Sequence, residues 1–277
     1  MLRFKFLKNI ILYMILFSGV IITIIPFLYM FSTSLKDQVY VFEIPPKFIP
    51  EEPTIQNYIV AWGAGNFRLY FLNSLIVAVS TVVLVVLFSS MLAFVFARYR
   101  FPGKNILFYS LLMTLMIPVI IYIIPEFILI KKLYLLNSLI GLILIYTSSQ
   151  LAMYTFLLKG FFSEIPKEIE DAAKLDGCNM IRIYWQIILP LAKPALATVC
   201  IFSFLNSWDE FVVALTMIND VNKRTLPIAL AMFQGQYFTK WGLVFAASMM
   251  AIMPVIAVFI IFQRHFVRGI ATSGLKG

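Results

Sequence analysis

The sequence is poor in charged residues, and this shortage decides the class of protein. Only 13% of its 277 residues are charged, whereas 62% are hydrophobic, and the mean hydropathy is +0.94. A soluble domain of this length could not bury so many apolar side chains in its core. The composition therefore predicts an integral membrane protein.

Cysteine and histidine are also scarce, which argues against a metal centre or a disulfide framework. Cys178 and Cys200 are the two cysteines, and His265 has no second histidine with which to share a metal. The sequence also contains no glycine-rich run ending in lysine and serine or threonine, the type that cradles a nucleotide phosphate. We expect no metal, no catalytic residue and no cofactor, and the chain alone cannot hydrolyse ATP by the common mechanism.

Six long apolar runs predict six transmembrane helices, since a helix needs about 20 mainly apolar residues to cross a bilayer. The predicted spans are residues 10–32, 70–95, 106–124, 138–158, 194–218 and 241–263. A cleaved signal peptide is the alternative for the first run, but its apolar region would be only about 7 to 15 residues long. The fold class is all-α: a polytopic membrane protein whose residues 1–277 form a single transmembrane domain.

Proline and charge predict irregularities in these spans. Pro118 removes a backbone hydrogen bond and should loosen or kink the third span. The apolar residues 127–130 should then lie partly in the membrane interface. The fifth run reaches spanning length only if Asp209 and Glu210 lie inside it, roughly 22 to 24 Å from its start at 1.5 Å per residue.

The two acids of the fifth span define a candidate substrate path. A charge at the centre of a membrane helix costs about 2.5 to 3.5 kcal/mol, so Asp209 and Glu210 should face a polar path or a partner. Asn206 and Trp208 lie beside them, and sugars need both hydrogen bonds and aromatic surfaces on which to stack. The alternative is that the acids cap the outer end of the span or pair with a partner subunit.

The basic residues predict the orientation of the chain. With both termini in the cytoplasm, the inner segments hold fourteen of the 22 lysines and arginines, in agreement with the positive-inside rule. Nucleic acid is a poor explanation for the basic balance, because no long basic segment outside the spans is interleaved with stacking aromatics. The basic tail from Arg264 would contact an ATPase or lipid headgroups, with His265 at headgroup level.

Residues 159–193, here called the central loop, form a long polar interruption between apolar runs. Ser163 can cap a first short helix, Pro166 suits its first turn, and Gly177 suits a left-handed residue at its end. One narrow stripe of this helix is predicted to dock on a partner, and it comprises Ile165, Ile169, Ala172 and Ala173. A second apolar face comprises Met180, Ile181, Tyr184, Ile187 and Ile188.

The spacing within the central loop resembles the "EAA" cytoplasmic loop of the membrane subunits of binding-protein-dependent ABC importers. The matching residues are Asp171, Ala172, Ala173, Gly177, Leu189 and Pro190. Asp171 stands where that family usually has glutamate, so the charge is kept. The resemblance implies that this loop is a coupling helix that docks in a cleft of an ATPase subunit.

Other segments resemble the smaller permease subunit of maltose-type sugar importers: residues 73–75, 97–101, 206–211, 263–269 and 275–277. The resemblance implies an ATP-driven sugar importer of the bacterial inner membrane, with this chain forming half of the translocation path. It implies as partners a second permease in a heterodimer, two ATP-binding cassette subunits and an extracytoplasmic solute-binding protein. ATP would be bound by those partner subunits.

Three alternatives remain at this point. The solute could be another small molecule, such as a polyamine or glycerol phosphate. A proton-coupled secondary transporter would rest on Asp209 and Glu210. An intramembrane enzyme would need a catalytic pair such as Ser/His or two separated aspartates within the spans, and the sequence shows none. The sequence does not identify the sugar.

Overall fold

A computed structural model describes residues 2–37, 47–63, 65–233 and 239–273, and within these ranges it describes side chains from residue 8 to residue 264. These parts are helical and contain no β-strand, which confirms the all-α expectation. The helices are α1 (Leu2–Ser34), α2 (Gln56–Gly63), α3 (Phe67–Arg98), α4 (Lys104–Met113), α5 (Val119–Lys132), α6 (Leu139–Glu164), α7 (Lys167–Leu175), α8 (Met180–Ile183), α9 (Leu189–Leu191), α10 (Lys193–Trp208), α11 (Val212–Met217), α12 (Leu226–Met232) and α13 (Trp241–Ser273).

Four helices are long and apolar enough to cross a membrane: Lys8–Ser34, Phe67–Arg98, Leu139–Glu164 and Trp241–Arg264. They correspond to the first, second, fourth and sixth predicted spans. Two bent pairs bring the number of spans to six if each pair is one span: Lys104–Met116 with Val119–Lys132, and Met180–Leu191 with Lys193–Trp208. The predicted ranges of the third and fifth spans each contain a break between helices. A kink was predicted for the third, whereas the fifth was predicted as continuous.

The third span breaks at the proline that was expected to kink it. The two halves are inclined by 107°, and Ile117 between them is extended, with φ −91° and ψ 118°. A residue that precedes a proline is driven out of the helical region by the proline ring, so Pro118 explains the extended Ile117. Residues 127–130 belong to α5, which continues to Lys132, rather than to a separate segment.

The fifth span is not the continuous helix 194–218 that the sequence predicted. α10 ends at Trp208, and the short α11 begins at Val212, so Asp209 and Glu210 lie in the break between two helices. A further bend of 77° separates the stretch Met180–Leu191 from α10. The backbone N–H groups after the break donate to Glu210, which a continuous helix would not allow.

One compact unit comprises residues 1–68 and 229–253. In it, the Asn57 side chain donates to the carbonyl oxygens of Ser34 and Lys36 at 2.9 and 2.7 Å, which satisfies the end of α1. A Cβ added at Gly242 would come within 2.7 Å of Asn57 Nδ2. Ala246 lies on the same helix and is fully buried, so small residues allow close packing along this face.

The second unit comprises residues 69–228 and 254–277, and α6 connects its two apolar cores. The first core packs the end of α3 and the end of α6 against the central loop and the start of α10. The second core packs the start of α6 against α5, α11 and α12. These two cores position the two candidate sites described next.

Candidate functional site

The central loop begins later than predicted, because α6 continues through Glu164. Ser163 lies inside that helix and donates to the Lys159 carbonyl at 2.8 Å, so the expectation that it caps the next helix is wrong. Pro166 occupies the N-cap position of α7, and no side chain caps that helix. Acidic residues in the first turn of α7 complement the positive end of the helix dipole.

A buried ion pair joins α7 to the end of α3. Arg98 Nε contacts Glu170 Oε1, and the two side chains are only 3% and 5% exposed. Arg98 Nη2 also donates to the Ile165 carbonyl at 2.9 Å, so one guanidinium holds both the start of α7 and its middle. Sequence analysis did not predict this pair.

The end of α7 is closed by a glycine, as predicted. Gly177 has φ +82°, its N–H donates to the Lys174 carbonyl at 3.0 Å, and the Cys178 N–H donates to the Ala173 carbonyl at 2.9 Å. These two bonds form a Schellman motif, which requires the left-handed residue. A Cβ at Gly177 would meet no atom within 4 Å, so conformation and not crowding selects glycine within this chain.

The predicted docking stripe is split between two faces of the loop. Ile165 and Ala173 are buried in the first core, whereas Ile169 and Ala172 are exposed. Leu175, which the sequence analysis did not single out, is 91% exposed at the end of α7. The prediction of a single stripe was wrong because it treated residues 165–173 as one helix, although α7 begins only at Lys167.

Asp171 stands on the exposed side of α7 beside a lysine. Lys174 Nζ lies 2.8 Å from Asp171 Oδ1, and this hydrogen bond, with the lysine charge, lowers the pKa of the Asp171 carboxyl. The same contact raises the pKa of Lys174. Both side chains are solvated and remain accessible to a partner.

The second half of the loop is a continuous helical stretch with a π-helical turn at Tyr184–Ile188. Tyr184 and Ile188 are buried as predicted, and the Tyr184 hydroxyl is hydrogen-bonded to Ser90 Oγ at 2.7 Å. Ile181 is exposed, contrary to the prediction. Leu189 packs partly against the first core and Pro190 is exposed, just before the bend into α10.

A polar cavity of about 300 Å³ lies in the second unit, between α5, α6 and the break after α10. It combines apolar walls with convergent polar groups, as ligand sites commonly do. Its lining residues are Val119, Tyr122, Glu126, Ile145, Tyr146, Ser149, Gln150, Asn206, Glu210 and Val213.

Glu210 is fixed in this cavity by three hydrogen-bond donors. Its Oε1 accepts from the Val213 N–H at 2.8 Å, and its Oε2 accepts from the Ala214 N–H at 2.9 Å and from the Tyr146 hydroxyl at 2.6 Å. The carboxylate therefore caps the N-terminus of α11. The alternative of a cap at the outer end of the span was partly right: Glu210 caps a helix, but at the break.

The four residues of the predicted substrate path are only partly brought together. Asn206 lines the cavity with Glu210, and its Nδ2 donates to Tyr154 OH at 3.0 Å. Trp208 is buried instead, packed edge-on against Phe71 and stacked on Phe204. Asp209 is exposed at the end of α10 and does not line the cavity.

Sequence analysis did not assign Glu126, Tyr146 or Gln150 to the site, although all three line the cavity. Gln150 donates to Ser207 Oγ at 3.0 Å, so it ties α6 to α10. Glu126 lies beyond the predicted third span, 106–124, but within α5, which continues past Pro125. A polar residue in an apolar run was the available signal for both side chains.

The remaining predictions concern metal ligands and the basic tail. Among the described side chains, no group of histidine, cysteine and acidic residues could hold a metal ion. Arg264 lies on α13 and is exposed, whereas the side chain of His265 and the whole of Lys276 lie outside the described residues.

Comparison with known proteins gives consistent results. Residues 86–272 match the family described as "Binding-protein-dependent transport system inner membrane component". The chain is 35% identical over 258 residues to the diacetylchitobiose uptake system permease protein NgcG of Streptomyces coelicolor, covering 92% of this chain and 85% of that protein. It is 33% identical over 252 residues to the sulfoquinovosyl glycerol transport system permease protein SmoH of Agrobacterium fabrum, covering 91% and 88%.

The fold also matches a solved structure, that of a bacterial ABC transporter involved in the import of the acidic polysaccharide alginate. The TM-score is 0.80 at 23% sequence identity, and the match covers 94% of this chain and 96% of that one. At this identity the likeness establishes the fold.

Proposed function

The chain belongs to the family of inner membrane components of binding-protein-dependent transport systems, and we propose that it forms half of the translocation path of an ATP-driven importer for sugars or oligosaccharides. It is a bacterial membrane protein and a transporter component, not an enzyme. The two relatives named above are described as permeases for a chitin disaccharide and for a glycosylated glycerol, which supports a sugar as the solute.

The observation that carries this proposal is the attachment of α7. This helix is held to the spanning helix α3 by the buried Arg98–Glu170 pair, while its other side, with Asp171, Ala172 and Leu175, is open. A short amphipathic helix that is rigidly attached on one side and open on the other suits a part that transmits motion. We therefore assign ATPase docking to the loop that contains Asp171, Ala172, Ala173, Gly177, Leu189 and Pro190.

Within that set the residues have different roles. Asp171 and Ala172 would contact the ATPase, with Leu175 added to them. Ala173 and Gly177 would instead shape the loop, because Ala173 packs in the first core and Gly177 closes α7. Leu189 and Pro190 would set the bend by which α10 leaves the loop.

The partners of an ABC importer permease are generally a second permease, ATPase subunits and a solute-binding protein. We propose a heterodimer of this chain with a related permease, two ATP-binding cassette subunits and one extracytoplasmic binding protein. ATP would be bound only by the cassette subunits, and this chain would need no cofactor. Both termini and the central loop would lie in the cytoplasm, where the positive-inside rule favours the excess of basic residues.

The polar cavity is the proposed substrate path, with Asn206 and Glu210 on its wall. Its position at a break in the fifth span agrees with the rule that irregular backbone at membrane depth lines a cavity or contacts protein. Trp208 and Asp209 would act indirectly, Trp208 by packing α10 against α3 and Asp209 by ending α10.

Reconstitution of the complex in proteoliposomes tests the proposal. Uptake of a radiolabelled sugar should require ATP on the ATPase side and the solute-binding protein on the other side, and should continue when a protonophore collapses the proton gradient. Uptake that stops with the protonophore while ATP is held constant would favour a proton-coupled transporter. Uptake of spermidine or glycerol phosphate but of no sugar would contradict the proposed solute class.

A further inference from the structure

Four side chains that line the cavity already donate hydrogen bonds to other groups of the protein. The four bonds are Tyr146 O–H to Glu210 at 2.6 Å, Ser149 O–H to the Tyr146 carbonyl at 3.1 Å, Gln150 N–H to Ser207 at 3.0 Å, and Asn206 N–H to Tyr154 at 3.0 Å. Tyr146 and Ser149 thereby use their only donor, and Gln150 and Asn206 each use one of two. All four side chains keep acceptor capacity.

Two acceptors of the lining have no partner among the described residues. Gln150 is only 9% exposed, and its Oε1 is buried without a hydrogen bond. Glu126 Oε2 is buried and unpaired in the same way. A buried acceptor without a partner is costly, so its retention in a cavity indicates that something with an N–H or O–H group occupies the space.

Among the described side chains, the lining of the cavity contains acidic residues and no basic residue. Glu126 and Glu210 both line it, and no lysine or arginine of the described residues forms an ion pair with either carboxylate. Charges in a cleft with apolar walls act over a longer range than they would in water. An anionic group entering this space would therefore be repelled.

We propose that this cavity selects solutes by charge: it accepts neutral sugars and sugars that carry amines, and it discriminates against sugars that carry a carboxylate, sulfonate or phosphate. Hydroxyl and ammonium groups supply the donors that Gln150 and Glu126 lack, whereas an ionised acidic group supplies none. This inference rests on the proposed sugar-transport function. It separates the chain from the importer of acidic alginate whose fold it shares and from the relative described as a permease for sulfoquinovosyl glycerol, whose sugar carries a sulfonate.

The test is equilibrium binding of three disaccharides of similar size to the assembled complex in lipid nanodiscs, without the solute-binding protein. Diacetylchitobiose is neutral, chitobiose carries amines, and digalacturonate carries two carboxylates. We expect the first two to bind about tenfold or more tightly than digalacturonate. Glu126→Gln, which keeps the shape and removes the charge, should raise the affinity for digalacturonate about tenfold relative to diacetylchitobiose.

Glu52→Gln is the matched control, because Glu52 is an exposed acid outside the predicted spans. It should leave the ratio of the affinities unchanged. Digalacturonate binding as tightly as diacetylchitobiose, or the same ratio in both variants, would overturn the inference while leaving sugar uptake intact. Binding of none of the three would also overturn it. Failure of the proposed function would be seen separately, as absence of ATP-dependent uptake of any sugar with the binding protein present.

Discussion

Arg98 at the end of α3 and Glu170 in α7 form an ion pair that is almost completely buried, and Arg98 also holds the Ile165 carbonyl at the entry to α7. A membrane-spanning helix and a loop helix are thus joined by charged groups that have little access to water. Such a pair fixes a geometry more than it adds stability, because much of its attraction compensates the desolvation of the two charges.

Removing one partner of this pair should therefore destabilise the fold much more than replacing both partners with apolar residues. We expect Glu170→Ala to cost about 3 to 5 kcal/mol, because Arg98 would remain buried without a counter-charge. The double variant Arg98→Met with Glu170→Leu should recover most of the loss. Thermal unfolding of the purified chain in detergent measures both effects.

The exposed pair of Asp171 and Lys174 provides the control for that experiment. Lys174→Met should leave the melting temperature almost unchanged, since water and salt already screen this pair. Equal losses for Glu170→Ala and Lys174→Met would show that the buried position of Glu170 has no special importance.

Gly177 should be required for its backbone conformation. Gly177→Ala should cost about 1 to 2 kcal/mol from the left-handed φ alone, with no added clash, and it should still insert all its spans. Gly160→Ala is the matched control, because Gly160 lies inside α6, has no neighbour within 4 Å of an added Cβ, and should tolerate alanine. Chemical unfolding of the two variants distinguishes them, and a loss at residue 160 equal to that at residue 177 would contradict this explanation.

The two acids at the break in the fifth span should behave differently. Glu210→Gln leaves one oxygen to serve three donors, so at least one donor loses its partner, at a cost of about 1 to 3 kcal/mol. Sugar uptake should fall as well, because Glu210 lines the cavity. Asp209→Asn should have little effect on either measurement, since Asp209 is exposed outside the cavity. A larger loss of uptake for Asp209→Asn than for Glu210→Gln would reverse the assignment.

Labelling of Cys178 tests the orientation of the chain. In a Cys200→Ala background, a membrane-impermeant thiol reagent should modify the partly exposed Cys178 in inside-out vesicles but not in intact cells. Removal of the ATPase subunits should increase the labelling if they cover the loop. Labelling in sealed intact cells would place the central loop on the outside and remove it from any ATPase.

The long spans could be predicted from the sequence because uninterrupted apolar runs leave few alternatives in a membrane. The breaks in the third and fifth spans were harder to predict. Pro118 indicated the break in the third span. At the end of α10, however, Glu210 accepts hydrogen bonds from α6 and α11, and residue spacing does not reveal these contacts. The Arg98–Glu170 pair could not be predicted from the sequence for the same reason, since its two residues come from separate helices and are far apart in the chain.

In the central loop, the prediction for Gly177 was correct and the prediction of the docking stripe was wrong, each for a physical reason. Gly177 was predictable because only a glycine adopts its conformation without strain. The docking stripe was not, because it depended on where α7 begins, and α6 continued through Glu164 before the chain turned at Pro166. The family resemblance identified the loop, but the structure was needed to separate its buried side from its exposed side.

The exposed side of α7 is the proposed docking surface for the ATPase, and Leu175 lies on it. This side chain is 91% exposed, so Leu175→Asp should leave insertion and melting temperature unchanged. In the reconstituted complex, ATP hydrolysis stimulated by sugar and binding protein should fall about tenfold or more, because a charge would enter an apolar contact. A Leu175→Asp complex that keeps its ATPase subunits and its full stimulated hydrolysis would show that α7 does not couple ATP hydrolysis to transport.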